Sequence, residues 1–87
     1  MNFLKLGALD LGSNSIRCLV VNVIPTPTYT HYKKASMTRL PVRLGADVFE
    51  TGRISDETGE RLLHGLKAYG HIFAVHGVAG FRACATS

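Results

Sequence analysis

Two apolar runs separated by one short polar stretch restrict this chain more than any other feature in it. Phe3 to Ala8 and Ile16 to Ile24 are rich in Leu, Val and Ile, and between them lies Leu9-Asp10-Leu11-Gly12-Ser13-Asn14-Ser15. Runs of this length and composition read as buried strands, Phe3 to Leu9 and Ile16 to Ile24. So short a polar segment between them reverses the chain into a hairpin. Gly12 permits backbone angles that other residues resist. The turn also carries a carboxylate, two hydroxyls and an amide. Successive turn N–H groups can converge on an anion, and Ser13 and Ser15 add hydroxyl donors. A hydrogen bond to a charged group contributes about 1.5–3 kcal/mol, so three or four can hold one phosphate. Asp10 would repel that phosphate unless a hard cation such as Mg²⁺, directly or through its waters, lies between them. The competing reading is a hairpin whose polar turn only faces water.

The near-continuous apolarity of Ile16 to Ile24 predicts a strand covered on both faces. Arg17 interrupts it close to the turn, either to reach an anion held there or to end the strand in solvent. Pro25-Thr26-Pro27 stops the strand. Tyr29 to Thr38 reads as a third strand, placed at the sheet edge by Lys33, Lys34 and the nearby Pro41. Those lysines discourage pairing with other chains, or else bind substrate. Leu40 to Gly52 has Pro41, Gly45 and Gly52 and no sustained period, which predicts loop. Arg43 within it is a candidate phosphate contact or an ordinary surface arginine.

A helix is expected from Ser55, an N-cap followed by Asp56 and Glu57 in the first turn, to Gly77 at its end. Leu62, Leu66, Tyr69 and Phe73 give it an apolar stripe, widened by Leu63, Ile72 and Val75. Glu57 with Arg61 and Glu60 with His64 are i,i+4 pairs for its wet side. Gly59, Gly65 and Gly70 each cost about 1 kcal/mol relative to alanine, so packing must hold this helix. His64, His71 and His76 lack the spacing of a metal pair and read as surface residues. Phe81 to Thr86 is a fourth strand. Strand, helix, strand implies a right-handed crossover to a parallel neighbour, and pairing with the first strand gives the order 3-2-1-4. Thr86 and Ser87 then come beside the Asp10 loop, where ligands of such sheets sit.

At 87 residues the chain is one domain at most, near the lower size for a sufficient core. Hydrophobic residues at 46% against charged residues at 18% exclude intrinsic disorder. Ten Lys and Arg against six Asp and Glu, a net +4, favour anionic partners. No apolar run nears the ~20 residues that span a bilayer, and Asp10 cuts the first too short for a secretory signal. No membrane association is expected. Cys18 and Cys84 lie in strand-like runs that are not neighbours, and are expected buried, reduced and unpaired in a cytoplasmic protein.

The loop resembles the first phosphate-binding loop of the sugar kinase, heat-shock chaperone and actin superfamily. More narrowly, A-L-D-L-G-S-N-S-I-R resembles the opening of the exopolyphosphatase / guanosine pentaphosphate phosphohydrolase (Ppx/GppA) family. R-L-G at Arg43 to Gly45, G-x-I-S at Gly52 to Ser55 and A-T-S at Ala85 to Ser87 carry the same resemblance through the chain. Family members are several-fold longer, so only their front is matched.

The resemblance implies an α/β ribonuclease-H-like (actin-like ATPase) half-domain, part of a hydrolase releasing terminal phosphate from polyphosphate or guanosine pentaphosphate. It implies Asp10 as the catalytic and metal-side carboxylate, with Mg²⁺ or a similar divalent cation as cofactor. Phosphate would be bound by Gly12, Ser13, Asn14, Ser15, Arg17, Thr86 and Ser87. The partner is a phosphate-rich anionic substrate, and the parent is a candidate homodimer. The family's water-activating glutamate and the arginine after its A-T-S-A segment follow the point where this sequence stops, as does the second lobe. The piece is therefore expected to be inactive alone. A nucleotide-binding lobe of a kinase or ATPase would share the D-x-G loop, but more often carries Thr or Lys after the glycine. A basic nucleic-acid-binding module fits the charge, yet two-metal nuclease chemistry wants several clustered carboxylates, and Tyr29 with Tyr32 is no clear stacking platform.

Overall fold

The computed structural model describes residues 4–85. The two apolar runs form β1 (Leu4–Leu11) and β2 (Ile16–Pro25), antiparallel, with Leu4 opposite Val23 and Leu11 opposite Ile16. β3 (Thr30–Leu40) returns along β2 with a register shift at Val20/Val21. Two helices follow, α1 (Leu44–Thr51) and α2 (Asp56–His76), and then β4 (Gly80–Ala85) enters parallel to β1. The sheet order is β3-β2-β1-β4, as the strand–helix–strand pattern requires, and β3 with Lys33 and Lys34 lies at one edge.

α2 begins and ends as its sequence dictates. Ser55 is extended and its hydroxyl accepts the Thr58 N–H, while Gly77 closes the helix in the left-handed region at φ 69°. Tyr69 and Phe73 are buried against the sheet, and Leu62, Leu66 and Ile72 pack at the margin of the same core. Leu63 and Val75 do not widen the stripe; they point away from it and stay exposed. Gly65 is where the helix comes closest, because a Cβ there would stand 2.7 Å from Ile16 Cδ1. Its propensity cost is the condition for that approach. The Tyr69 hydroxyl donates to the Ile16 carbonyl at 2.7 Å, with the Thr38 carbonyl at 3.2 Å, and so pins α2 to β2 and β3 together. Burial pushes its pKa up.

Four expectations are corrected. The segment Leu40 to Gly52 is not loop throughout, since α1 occupies most of it. Among the described residues β2 is covered on one face only: Ile16, Cys18 and Val20 are buried beneath α2, whereas Leu19, Val21 and Val23 are half-buried on a face that no described element crosses. Cys18 is buried as expected, but Cys84 is exposed, because it lies on that same face in the edge strand β4; both thiols are free. Arg61 does not pair with Glu57, and instead donates to the Pro41 carbonyl at 3.0 Å. Among the described residues no helix is long and apolar enough to cross a membrane.

Candidate functional site

Asp10 stands one residue from the carboxyl end of β1, directly opposite Arg17 of β2 and in register with Cys84 of β4. All three therefore share the uncovered face. Arg17 Nη2 lies 2.5 Å from Asp10 Oδ2 in an ion pair. Both side chains remain partly exposed, and a guanidinium has five donors, so the pair leaves Arg17 further N–H groups. A shallow hollow of about 180 Å³ opens here, lined by Ala8, Asp10, Arg17, Leu19 and Met37.

The tip of the hairpin is closed by one backbone bond, Gly12 N–H to the Ser15 carbonyl at 3.0 Å. Gly12 takes no left-handed φ; among the described residues only Gly52 and Gly77 do. What a side chain at Gly12 would meet is the Ser15 carbonyl oxygen, 3.3 Å from an ideal Cβ. The side chains of Ser13, Asn14 and Ser15 make no hydrogen bond within the described residues. Two hydroxyls and an amide are thus left available at one tip.

The first turn of α1 rests on this tip. Gly45 N–H donates to the Ser13 carbonyl at 2.9 Å, and a Cβ on Gly45 would fall 2.6 Å from Ser13 Cβ. Only glycine permits that contact. Gly45 was the residue that sequence reasoning passed over, although the R-L-G match pointed to it. Arg43 immediately precedes α1 and caps it without a side-chain hydrogen bond.

The remaining carboxylates serve elsewhere. Asp47 accepts the Ser55 N–H at 2.9 Å and the Ser55 hydroxyl at 2.8 Å. The Ser55 backbone bond foremost, with the Thr58 and Ser55 hydroxyls, holds its pKa below the usual carboxylate range. It tethers α1 to the start of α2. Among the described residues no three His, Cys, Asp or Glu stand together as a metal cluster, so Asp10 would serve a cation alone. Thr86 and Ser87 lie outside the described residues; β4 is seen as far as Ala85, opposite Leu11, at the loop-bearing end of β1. A second hollow of about 280 Å³, on the helix side between Leu40 and Ala68, includes none of these residues.

No family model and no curated protein matches the chain. Solved structures do. A Ppx/GppA family member from Aquifex aeolicus superposes with a TM-score of 0.86 at 23% identity, over 97% of this chain and 26% of that one. An exopolyphosphatase-like protein is 30% identical over all of this chain and 26% of its own, with a TM-score of 0.80. An exopolyphosphatase from Cytophaga hutchinsonii is 26% identical, with a TM-score of 0.80, over 95% of this chain and 25% of its own. The resemblance carried by the loop thus extends to the three-dimensional structure. The fold is that of the N-terminal part of Ppx/GppA phosphatases, an actin-like fold, and the chain spans about a quarter of the length of these structures.

Proposed function

We propose that this chain is the phosphate-loop portion of a hydrolase that removes terminal phosphate from polyphosphate or guanosine pentaphosphate, and that it is inactive by itself. The observation that carries the reading is the Gly12–Ser15 tip, whose three polar side chains have no hydrogen-bond partner among the described residues and stand beside the Asp10–Arg17 pair. Hydrolysis of a phosphoric anhydride needs an anion cradle, charge neutralisation and a group that orients water. Ser13, Asn14 and Ser15 supply donors for the cradle. Arg17 lies close enough to bring positive charge to the same edge.

Mg²⁺ is held through one or two carboxylates together with waters and substrate phosphates, so the single carboxylate of Asp10 suits it. Bound there, the ion would neutralise phosphate charge. Asp10 would hold it, with Arg17 turned from the carboxylate toward the anion. No carboxylate of this chain is assigned to activate water: Asp47 is committed to Ser55, and Glu50, Asp56, Glu57 and Glu60 are exposed around the helix junction. Two free thiols fit a reducing, cytoplasmic setting.

The test is a titration of the isotope-labelled chain with tripolyphosphate, with and without Mg²⁺, followed by amide shifts. Amides of Gly12 to Ser15 should move, the affinity should rise with Mg²⁺, and Asp10→Asn should abolish that rise. Free phosphate should not accumulate. Shifts confined to other parts of the molecule would refute the site, and release of phosphate by the chain would refute its incompleteness.

A further inference from the structure

One buried polar atom lacks a partner among the described residues: Oδ1 of Asn22, in the lower half of β2. A buried acceptor without its hydrogen bond costs stability and calls for a reason. The NH2 of the same side chain is neither sealed in nor bonded, so the amide turns its acceptor inward and keeps its two donors outward. Its neighbours explain which way it turns. Lys5 of β1 and Lys33 of β3 stand opposite Asn22 on either side, in register. Side chains alternate along a strand, so all three share the face that carries Ile16, Cys18 and Val20. They form the row next to Gly7 and Val20, where Phe73 of α2 closes over the sheet.

Lys5 is half-buried, and the Ala79 N–H fixes its backbone by donating to its carbonyl at 2.9 Å. Neither lysine has an ion pair or a side-chain hydrogen bond among the described residues. Adjacent strands lie about 4.8 Å apart, so both ammonium groups can meet over Asn22 on their long stems. No acid competes for them. The chain's six are Asp10, Asp47 and Glu50 of α1, and Asp56, Glu57 and Glu60 at the start of α2. All belong to the hairpin-tip end of the sheet, and six residues of β2, about 20 Å, separate Asn22 from Ile16 there. Two ammonium charges with an NH2 between them match a group of two negative charges and three acceptor oxygens. A phosphoryl group at neutral pH has both. A carboxylate brings one charge and two oxygens, and a phosphodiester one charge.

We propose that Lys5, Asn22 and Lys33 form a second anion site, which takes the dianionic phosphoryl group of free phosphate or of a small phosphate monoester. The two lysines hold two of its oxygens, and Asn22 Nδ2 donates to the third. The bonds gained by the outward NH2 offset the one that the inward oxygen lacks. The site uses no metal and is independent of the Gly12–Ser15 reading: it would stand if the hairpin tip bound nothing.

Titration of the whole isotope-labelled 87-residue chain with inorganic phosphate and with glycerol 3-phosphate, both without metal, tests it. The Asn22 NH2 resonances should shift and saturate, and the Ser13→Ala, Ser15→Ala double variant should titrate in the same way. The tighter of the two probes identifies the source of the phosphoryl group. Lys33→Gln, at an exposed position whose loss leaves the fold intact, should weaken binding at least about fivefold. Asn22→Asp sets a carboxylate between the lysines, and should abolish binding while raising the melting temperature. If that variant loses its helical circular dichroism, Lys5→Gln replaces it and should also weaken binding about fivefold. Acetate and dimethyl phosphate should bind at least about tenfold more weakly than the dianions. Shifts confined to Gly12–Ser15, unchanged affinity in Lys33→Gln, or equal binding of acetate or dimethyl phosphate would each overturn the proposal.

Discussion

β2 has a tight turn at each end, and the two are built differently. At the far end, Thr26 folds onto its own turn: its hydroxyl donates to the Tyr29 carbonyl at 2.6 Å and accepts the Tyr29 N–H at 3.0 Å, and Thr26 N–H also bonds that carbonyl. Pro25 and Pro27 stiffen the same turn. At the near end, Gly12 to Ser15 is held by backbone alone, from within by the Gly12–Ser15 bond and from outside by Gly45 of α1. Among the described residues its hydroxyls and amide have no hydrogen-bond partner. A turn that closes on its own side chains has finished its task when the strand reverses. One that is shaped by a neighbouring helix instead keeps its donors for something else.

The largest effect that tests this contrast comes from the outside support. Gly45→Val places a branched side chain where even a Cβ is 2.6 Å from Ser13, so α1 or the tip must shift. The expected loss is about 1–3 kcal/mol of stability by overpacking, together with the tripolyphosphate shifts at the tip. Gly59→Ala, where a Cβ meets nothing, is the control and should hold or raise the melting temperature. Equal behaviour of the two variants in thermal melts and titrations would break the comparison.

A smaller effect separates the turns directly. Thr26→Ala removes a closed hydrogen-bond pair and should cost about 0.5–1.5 kcal/mol in urea unfolding, with no change in anion binding. Ser13→Ala with Ser15→Ala should do the reverse: stability held within about 0.5 kcal/mol, and affinity for tripolyphosphate weakened severalfold. A large stability loss in the serine variant would mean that those hydroxyls belong to the fold.

The smallest effect is on pH. Asp47 has a lowered pKa in the folded chain, so the folded state binds its proton less readily than the unfolded one. Its contribution is present above the unfolded pKa and fades as pH falls through the folded value. Asp47→Asn should therefore lower stability slightly at pH 7 and leave it nearly unchanged at pH 3, flattening the acid limb of the curve, as urea midpoints at about those two pH values would record. The effect is minor because this carboxylate lies in solvent.

Sequence order and chemistry made much of this legible. Ser55, Gly77 and the Leu62–Phe73 stripe marked α2 because caps and period agree there. The strand order followed from one crossover. α1 was hidden because it is eight residues long, buries none of them, and leaves Phe49 exposed. Its seat depends on a contact at Gly45 that no local pattern encodes. The open face was hidden for a different reason: Leu19, Val21 and Val23 are as apolar as Cys18 and Val20, and composition says that a cover is wanted without saying where in the chain it resides. Gly12 permits a left-handed turn, yet the tip forms without one.

β4 has a consequence in time. β1, β2 and β3 are consecutive in sequence and close through neighbouring hairpins, whereas Leu6 and Gly80 are separated in sequence by two strands and both helices. Contacts between residues so distant along the chain are slow to form, and on a ribosome the meander would exist before its fourth strand had been made. β4 is also exposed along its entire length and paired on one side, which makes it the element most easily released. Amide exchange should proceed fastest in Gly80–Ala85 and slowest in the centre of β2; uniform protection across the four strands would contradict this order.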